Sequence, residues 1–273
     1  MSEFDRDGST EIAGRRFAWR RLGTGPPLLL VQGYAGTADD WPPDFLEALG
    51  RSFTLVAPDN RGMGDSELGD PDAVTIDSMA ADLLVLLDEL AIDRLPVVGF
   101  SMGGFIAQAF VALAPQRVEL LALISTDPGG PGAVRAAPAD WARLVDHSGT
   151  PRERASRTIS VVFPPEVAPE FDREFGEIVA ASQATLDPAA LAAEERAMAE
   201  WWAASPPGEV GPSIKPVLIA AGAEDVVIPP GNAELLAESF PGARIELFAG
   251  TGHAVAAQQA GPAADLIRSH VRS

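Results

Sequence analysis

The chain contains no cysteine, so disulfide staples, thiolate zinc sites and a cysteine nucleophile are all excluded. Lysine occurs once, at Lys215, and Lys and Arg together number 20 against 39 Asp and Glu. The resulting formal charge of −19 repels phosphate backbones and anionic headgroups, which argues against nucleic acid and membrane surfaces as partners. No stretch reaches the roughly 18 consecutive apolar residues that a spanning helix needs. The opening segment MSEFDRDGSTEIAGRRF also lacks an apolar run of signal-peptide type, so a cytoplasmic location is the expectation. Histidine is scarce: any imidazole chemistry has only His147, His253 and His270 to draw on.

What the chain does have is enough apolar material for one sizeable core, 47% of 273 residues. Short continuous apolar runs stand at 28–31, 53–57, 96–100 and 120–124, as strands covered on both faces require. Between them, 78–90 carries apolar residues at helical spacing, and 102–113 reads as a nearly all-apolar helix buried against a sheet. This alternation predicts strand–helix–strand units on a parallel sheet. It breaks after Thr126, where DPGGPG leads into Ala-, Glu- and Arg-rich stretches punctuated by proline, up to SPPGEVGP at 205–212. It then resumes with a strand at 217–221, a helix near 232–239, a strand at 244–248 and a final helix at about 254–271. The expected organisation is a core in two parts, 1–132 and 211–273, with a helical cap inserted at 133–210.

The most informative motif is Gly99-Phe100-Ser101-Met102-Gly103, set between the apolar strand at 96–100 and the apolar helix at 102–113. A serine on so sharp a turn is forced into a strained backbone, with its hydroxyl exposed and glycines needed on either side. The start of the helix also aims peptide N–H groups and the positive end of its dipole at the place where an oxyanion would form. Serine needs a base, and His253 lies in Gly250-Thr251-Gly252-His253, just past the last predicted strand. His147 and His270 read as an exposed polar residue and a helix C-terminal cation. Imidazole in turn needs a carboxylate. Asp225, following the strand at 217–221, is the first candidate, and Asp127, following the strand at 120–124, is the second. Glu224 reads as a solvated loop charge.

The chain order Ser101, Asp225, His253, together with the turn Asp59-Asn60-Arg61-Gly62-Met63-Gly64-Asp65-Ser66 and the ending Gly250 to His253, resembles the α/β-hydrolase superfamily in its serine-nucleophile branch. The resemblance runs from about Arg16 to the last helix, except for the cap. It implies an α/β-hydrolase fold: a mostly parallel sheet of about eight strands with helices on both faces and an inserted helical cap. It also implies acyl transfer to water, with Ser101 as nucleophile, His253 as base and Asp225 as orienting acid, and with no cofactor or metal. The backbone N–H groups of Tyr34 and Met102 would form the oxyanion hole. Gln32 stands where the family usually has His in His-Gly-x, so it either braces the loop or touches substrate. Asp59 and Arg61 read as ties that hold the turn they occupy.

Within that branch the sequence looks most like small capped esterases, enol-lactone hydrolases and cofactor-free haloperoxidase-type esterases. In the cap, Trp141, Phe163, Phe171, Phe175, Trp201 and Trp202 could wall an apolar pocket or could serve as packing. The strong negative charge disfavours polyanionic substrates, so a small to medium, fairly apolar ester or lactone is expected, turned over by a monomer or homodimer. Two rivals stay open: carbon–carbon bond hydrolysis of the meta-cleavage type on the same three residues, and a small-molecule receptor that keeps the fold.

Overall fold

The computed structural model describes residues 6–204 and 216–271. The proline-rich stretch at 205–212 lies outside them. The strands are β1 (Arg6–Ile12), β2 (Arg15–Leu22), β3 (Pro27–Val31), β4 (Thr54–Pro58), β5 (Leu95–Phe100), β6 (Val118–Ile124), β7 (Val217–Gly222) and β8 (Arg244–Phe248). They form one sheet in the order β1-β2-β4-β3-β5-β6-β7-β8. The pairs β1–β2 and β2–β4 are antiparallel and every other pair is parallel.

Strands β3 to β7 fall where the apolar runs predict them, because a strand covered on both faces has few polar positions to spare; β8, RIELF, falls at the predicted 244–248 but is an exposed edge strand. Residues of β3 alternate between the two sides: Leu29 and Val31 join one core cluster, Leu28 and Leu30 the other. The hairpin of β1 and β2 is different. Its sequences, RDGSTEI and RRFAWRRL, carry seven charged residues where β3, β4, β5 and β7 carry none, and the hairpin lies at one end of the sheet with β1 as the edge strand. The turn joining them places Ala13 and Gly14 at φ 51° and 76°, the left-handed geometry of a two-residue hairpin.

The first core is closed by α2 (Ile76–Glu89), α3 (Met102–Leu113) and α8 (Asn232–Ser239), and the second by α1 (Pro43–Gly50), α9 (Val255–Gln258) and α10 (Ala260–Val271). The single helix expected at 254–271 is therefore two, divided at Gln259, whose φ of −129° leaves the helical region. Between β6 and β7 the chain forms α4 (Pro138–Leu144), α5 (Pro151–Val162), α6 (Ala168–Gln183) and α7 (Pro188–Ala203). Proline occupies the first turn of all four, where its missing N–H costs nothing.

The chain leaves β3 toward β4 on one side and returns to β5 on the other. Reversal of strand order opens a crevice at the carboxyl ends of β3 and β5, the position where open α/β sheets bind ligands. The loop after β3 and the turn after β5 meet there.

Candidate active site

Ser101 is the single residue between β5 and α3, and its φ of 54° and ψ of −124° lie far from any conformation an L-residue prefers. Such a residue costs about 1–3 kcal/mol and persists only where its surroundings hold it. Ser101 N–H donates to Ile124 O at 2.9 Å, and Thr126 Oγ1 donates to Ser101 O at 2.8 Å. The flanking glycines are required by close approach: a Cβ on Gly99 would stand 2.5 Å from Gly103 O, and one on Gly103 would stand 2.1 Å from Val31 O.

His253 and Asp225 are buried, 5% and 3% exposed, on the loops that follow β8 and β7. Those loops pack backbone to backbone, with Glu224 N–H donating to Thr251 O at 2.9 Å. Asp225 Oδ1 accepts the N–H groups of Val227 and Ile228 at 2.8 and 2.9 Å, which fixes the carboxylate plane. Its Oδ2 lies 2.8 Å from His253 Nδ1, and His253 Nε2 lies 3.0 Å from Ser101 Oγ. A carboxylate can only accept, so its contact assigns the imidazole proton to Nδ1 and leaves the Nε2 lone pair facing the serine hydroxyl.

Asp127, the other acid considered for this role, is engaged elsewhere. It accepts Trp202 Nε1–H at 2.9 Å and Gly129 N–H at 2.8 Å. Burial pushes its carboxyl above the usual range, against the lowering effect of those donors. Phe100, which the sequence motif leaves unspecified, sets its ring 5.0 Å from the His253 ring and is met edge-on by Trp41. The imidazole thus has a carboxylate on one nitrogen and an aromatic wall on its side.

The loop after β3 lies against Ser101: a Cβ on Gly33 would come 2.9 Å from Ser101 Cβ and 3.4 Å from its Oγ. Gly33 N–H donates to Gln32 Oε1 at 2.9 Å, Ala35 N–H to Glu194 Oε2 at 2.8 Å and Gly36 N–H to Gly33 O at 3.3 Å. Thr37 N–H donates to Asp40 Oδ2 at 2.8 Å and Ala38 N–H to Asp59 Oδ1 at 2.7 Å. Tyr34 N–H alone in this run meets no acceptor among the described residues. Met102 opens α3, so its N–H has no acceptor within the helix. Gln32 is 5% exposed; besides holding Gly33 N–H, its carbonyl accepts Asn60 Nδ2–H at 3.0 Å. Arg61 turns away from the crevice and grips Asp82 with two hydrogen bonds, at 2.5 and 2.9 Å.

The aromatic residues of the inserted helices form two groups. Trp201 stacks on Phe105 at 5.4 Å and Trp202 meets the same ring edge-on, with Trp141 packed edge-on against Trp202. Phe105 stands one turn beyond Ser101 on α3, so this group is anchored beside the serine. Phe163 stacks on Phe171 at 4.0 Å, with Phe175 next in line. Its backbone lies over the histidine loop: Ala254 N–H donates to Val162 O at 3.3 Å. His147 is within hydrogen-bond distance of Glu195 Oε1 and of the Tyr34 hydroxyl, at 2.8 and 3.1 Å.

Glu194 has no signal in the sequence beyond its place in a helix. It is 0% exposed, its Oε1 finds no hydrogen-bond partner, and burial pushes its carboxyl up to about 8. A carboxyl raised this way in the folded state lends stability that is complete below about pH 4.5, its unfolded value, and is lost as pH rises through about 8. Relative to Glu194→Gln, the wild-type chain is expected to lose on the order of 3 kcal/mol between pH 5 and pH 8. Denaturant unfolding of the two proteins at both values checks this, and parallel pH dependence would contradict it.

The fold and the serine turn define a class, and the sequence comparison agrees. The chain belongs to the alpha/beta hydrolase fold family, whose model matches residues 26–258. An uncharacterised protein of Mycobacterium tuberculosis is 28% identical over 267 residues, covering 89% of this chain and 74% of that one. Among solved structures, a thermophilic esterase from Thermogutta terrifontis superposes with a TM-score of 0.79 at 26% identity, covering 98% of both chains. The enol-lactonase of Burkholderia xenovorans LB400 gives a TM-score of 0.81 at 22% identity, over 97% of this chain and 100% of that one. No helix among the described residues is long and apolar enough to cross a membrane.

Proposed function

We propose that the protein is a serine hydrolase that cleaves a small to medium, fairly apolar carboxylic ester or lactone. The observation that carries this reading is the unbroken line Ser101 Oγ, His253, Asp225, with contacts of 3.0 and 2.8 Å, at the crevice where strand order reverses. Ser101 Oγ attacks the carbonyl carbon while its proton passes to His253 Nε2. The carbonyl oxygen becomes an oxyanion, which the N–H groups of Tyr34 and Met102 receive. Collapse breaks the bond to the alkoxide, which takes the proton from Nε2 and leaves as the alcohol. A water then repeats the sequence on the acyl-enzyme, with His253 again as base, and releases the acid. The route needs no cofactor or metal.

The inserted segment 133–210 serves in this reading as a cap that supplies substrate contacts through Trp141, Phe163, Trp201 and Trp202, with Gln32 at the crevice floor. The likeness to an esterase at 26% identity supports the ester class, and the charge of −19 disfavours polyanionic substrates. Hydrolysis of p-nitrophenyl esters from acetate to dodecanoate tests the proposal. Multiple turnovers with an optimum at short to medium chains are expected. Absence of turnover across the whole series would contradict it.

A further inference from the structure

We infer that Glu194 and Glu195, adjacent acids on α7, are positioning residues that hold the Tyr34 oxyanion donor in place, so that the hole is competent only while α7 is docked against the loop after β3. The inference rests on the proposed serine mechanism. Tyr34 is held on both sides by this one helix. Glu194 Oε2 accepts the N–H of the next residue, Ala35, at 2.8 Å, and Glu195 Oε1 accepts the Tyr34 hydroxyl at 2.7 Å.

The turn needs such support. Gly33 to Gly36 close a four-residue turn through the 3.3 Å contact of Gly36 N–H with Gly33 O, and its third residue is Ala35 at φ 57°. A positive φ at that position suits glycine, and an alanine there is strained. Flipping the Tyr34–Ala35 peptide would return Ala35 to negative φ, and the same flip would turn Ala35 N–H away from Glu194. The flip is a rotation at ψ of Tyr34 and φ of Ala35, so it remakes the turn directly beside the Tyr34 N–H, the one left without an acceptor among the described residues. The hydrogen bond to Glu194 therefore selects the strained turn, and the bond from the Tyr34 hydroxyl to Glu195 ties the Tyr34 side chain to the same helix.

Packing alone does not account for Glu194. The helix face that carries it also carries Ala190 and Leu191, which cluster with Met63, Leu68 and Ala35. An apolar side chain would fill that place without the penalty of a fully buried carboxyl. The charged and titratable neighbours of Glu194 are Glu195 on the same helix, Tyr34 on the loop and His147 beside Glu195, and no cation among the described residues is bonded to Glu194 itself. Burial keeps the group largely protonated near neutrality, and its carbonyl oxygen still accepts the Ala35 N–H.

The test compares Glu194→Leu, which removes the acceptor, with Glu194→Gln, which keeps one. Each is assayed on p-nitrophenyl butyrate and for inhibition by an alkyl trifluoromethyl ketone, which forms a tetrahedral oxyanion on the serine. Glu194→Leu is expected to lower kcat by about 10-fold to 100-fold with KM within about threefold, and to weaken the ketone by a similar factor. Glu194→Gln is expected to keep kcat within about threefold. Tyr34→Phe, which leaves the buried carboxyl untouched, is expected to lower kcat several-fold at constant KM, and it carries the test if Glu194→Leu does not fold. Wild-type kcat and ketone affinity in the folded Leu variant, or in Tyr34→Phe where that variant is lost, would overturn the inference alone. A wild-type enzyme that turns over no ester and ignores the ketone would overturn the serine mechanism, and this inference with it.

Discussion

Ser101→Ala is expected to reduce kcat on a p-nitrophenyl ester by about five to six powers of ten while leaving thermal stability within about 1 kcal/mol of the parent. The substitution removes one oxygen atom and no part of the turn, since Ser101 is held through backbone contacts with Ile124 and through its carbonyl. Under the proposed mechanism the surviving rate is that of water attack in a site that keeps the N–H groups of Tyr34 and Met102. Steady-state assays at enzyme concentrations high enough to see that residue, with a melting curve for each protein, check both halves. A variant within tenfold of wild type would remove the nucleophile assignment.

Asp225→Asn is expected to cost about 10⁴-fold in kcat, for a reason that the carboxylate's other contacts make specific. Oδ1 accepts two backbone N–H groups, from Val227 and Ile228, and only an oxygen can take that position. The amide nitrogen of asparagine is then turned toward His253 Nδ1, where it donates. The imidazole must carry its proton on Nε2, and that nitrogen can no longer accept the Ser101 proton across the 3.0 Å contact. Asp127→Asn is the control. Its carboxylate serves Trp202 and Gly129, and its loss is expected to change kcat by less than about tenfold. Equal losses in the two variants would show that neither acid is specific to the histidine.

The elements that carry these groups are legible in the sequence because each is locally determined. The serine turn announces itself through glycines that close contacts demand, and α3 falls at the nearly all-apolar segment that predicts it, while β8 falls at the predicted 244–248 without a continuous apolar run. Strands β1 and β2 are not legible in the same way: at the edge of the sheet nothing requires an apolar run, and their hairpin turn uses Ala13-Gly14 where Asn-Gly would be the plainer signal. The division of the last helix at Gln259 does carry a local signal, Gly261-Pro262: in a continuous helix Pro262 would have no N–H to give Gln258 O, and its ring would clash with that carbonyl.

Glu194 marks the limit of local reading. In PAALAAEERAMAEWWA the three acids, Glu194, Glu195 and Glu200, stand among alanines with nothing local to set one apart. Only the fold shows that one of them is fully buried against a loop 159 residues away in sequence. Phe100 is similar, a free position in the motif that becomes the wall of the imidazole. His147 is exposed, as read, and its place beside Glu195 and the chain's one tyrosine is what the sequence does not show. What decides such residues is long-range pairing, which composition and period do not encode.

The central claim is that Ser101 is an activated nucleophile, and covalent capture tests it most directly. Intact-mass analysis after incubation with an alkyl fluorophosphonate, followed by peptide mapping, is expected to show one adduct per chain, on Ser101, and none in Ser101→Ala. An unmodified wild-type mass, or an adduct that persists in the variant, would contradict the account.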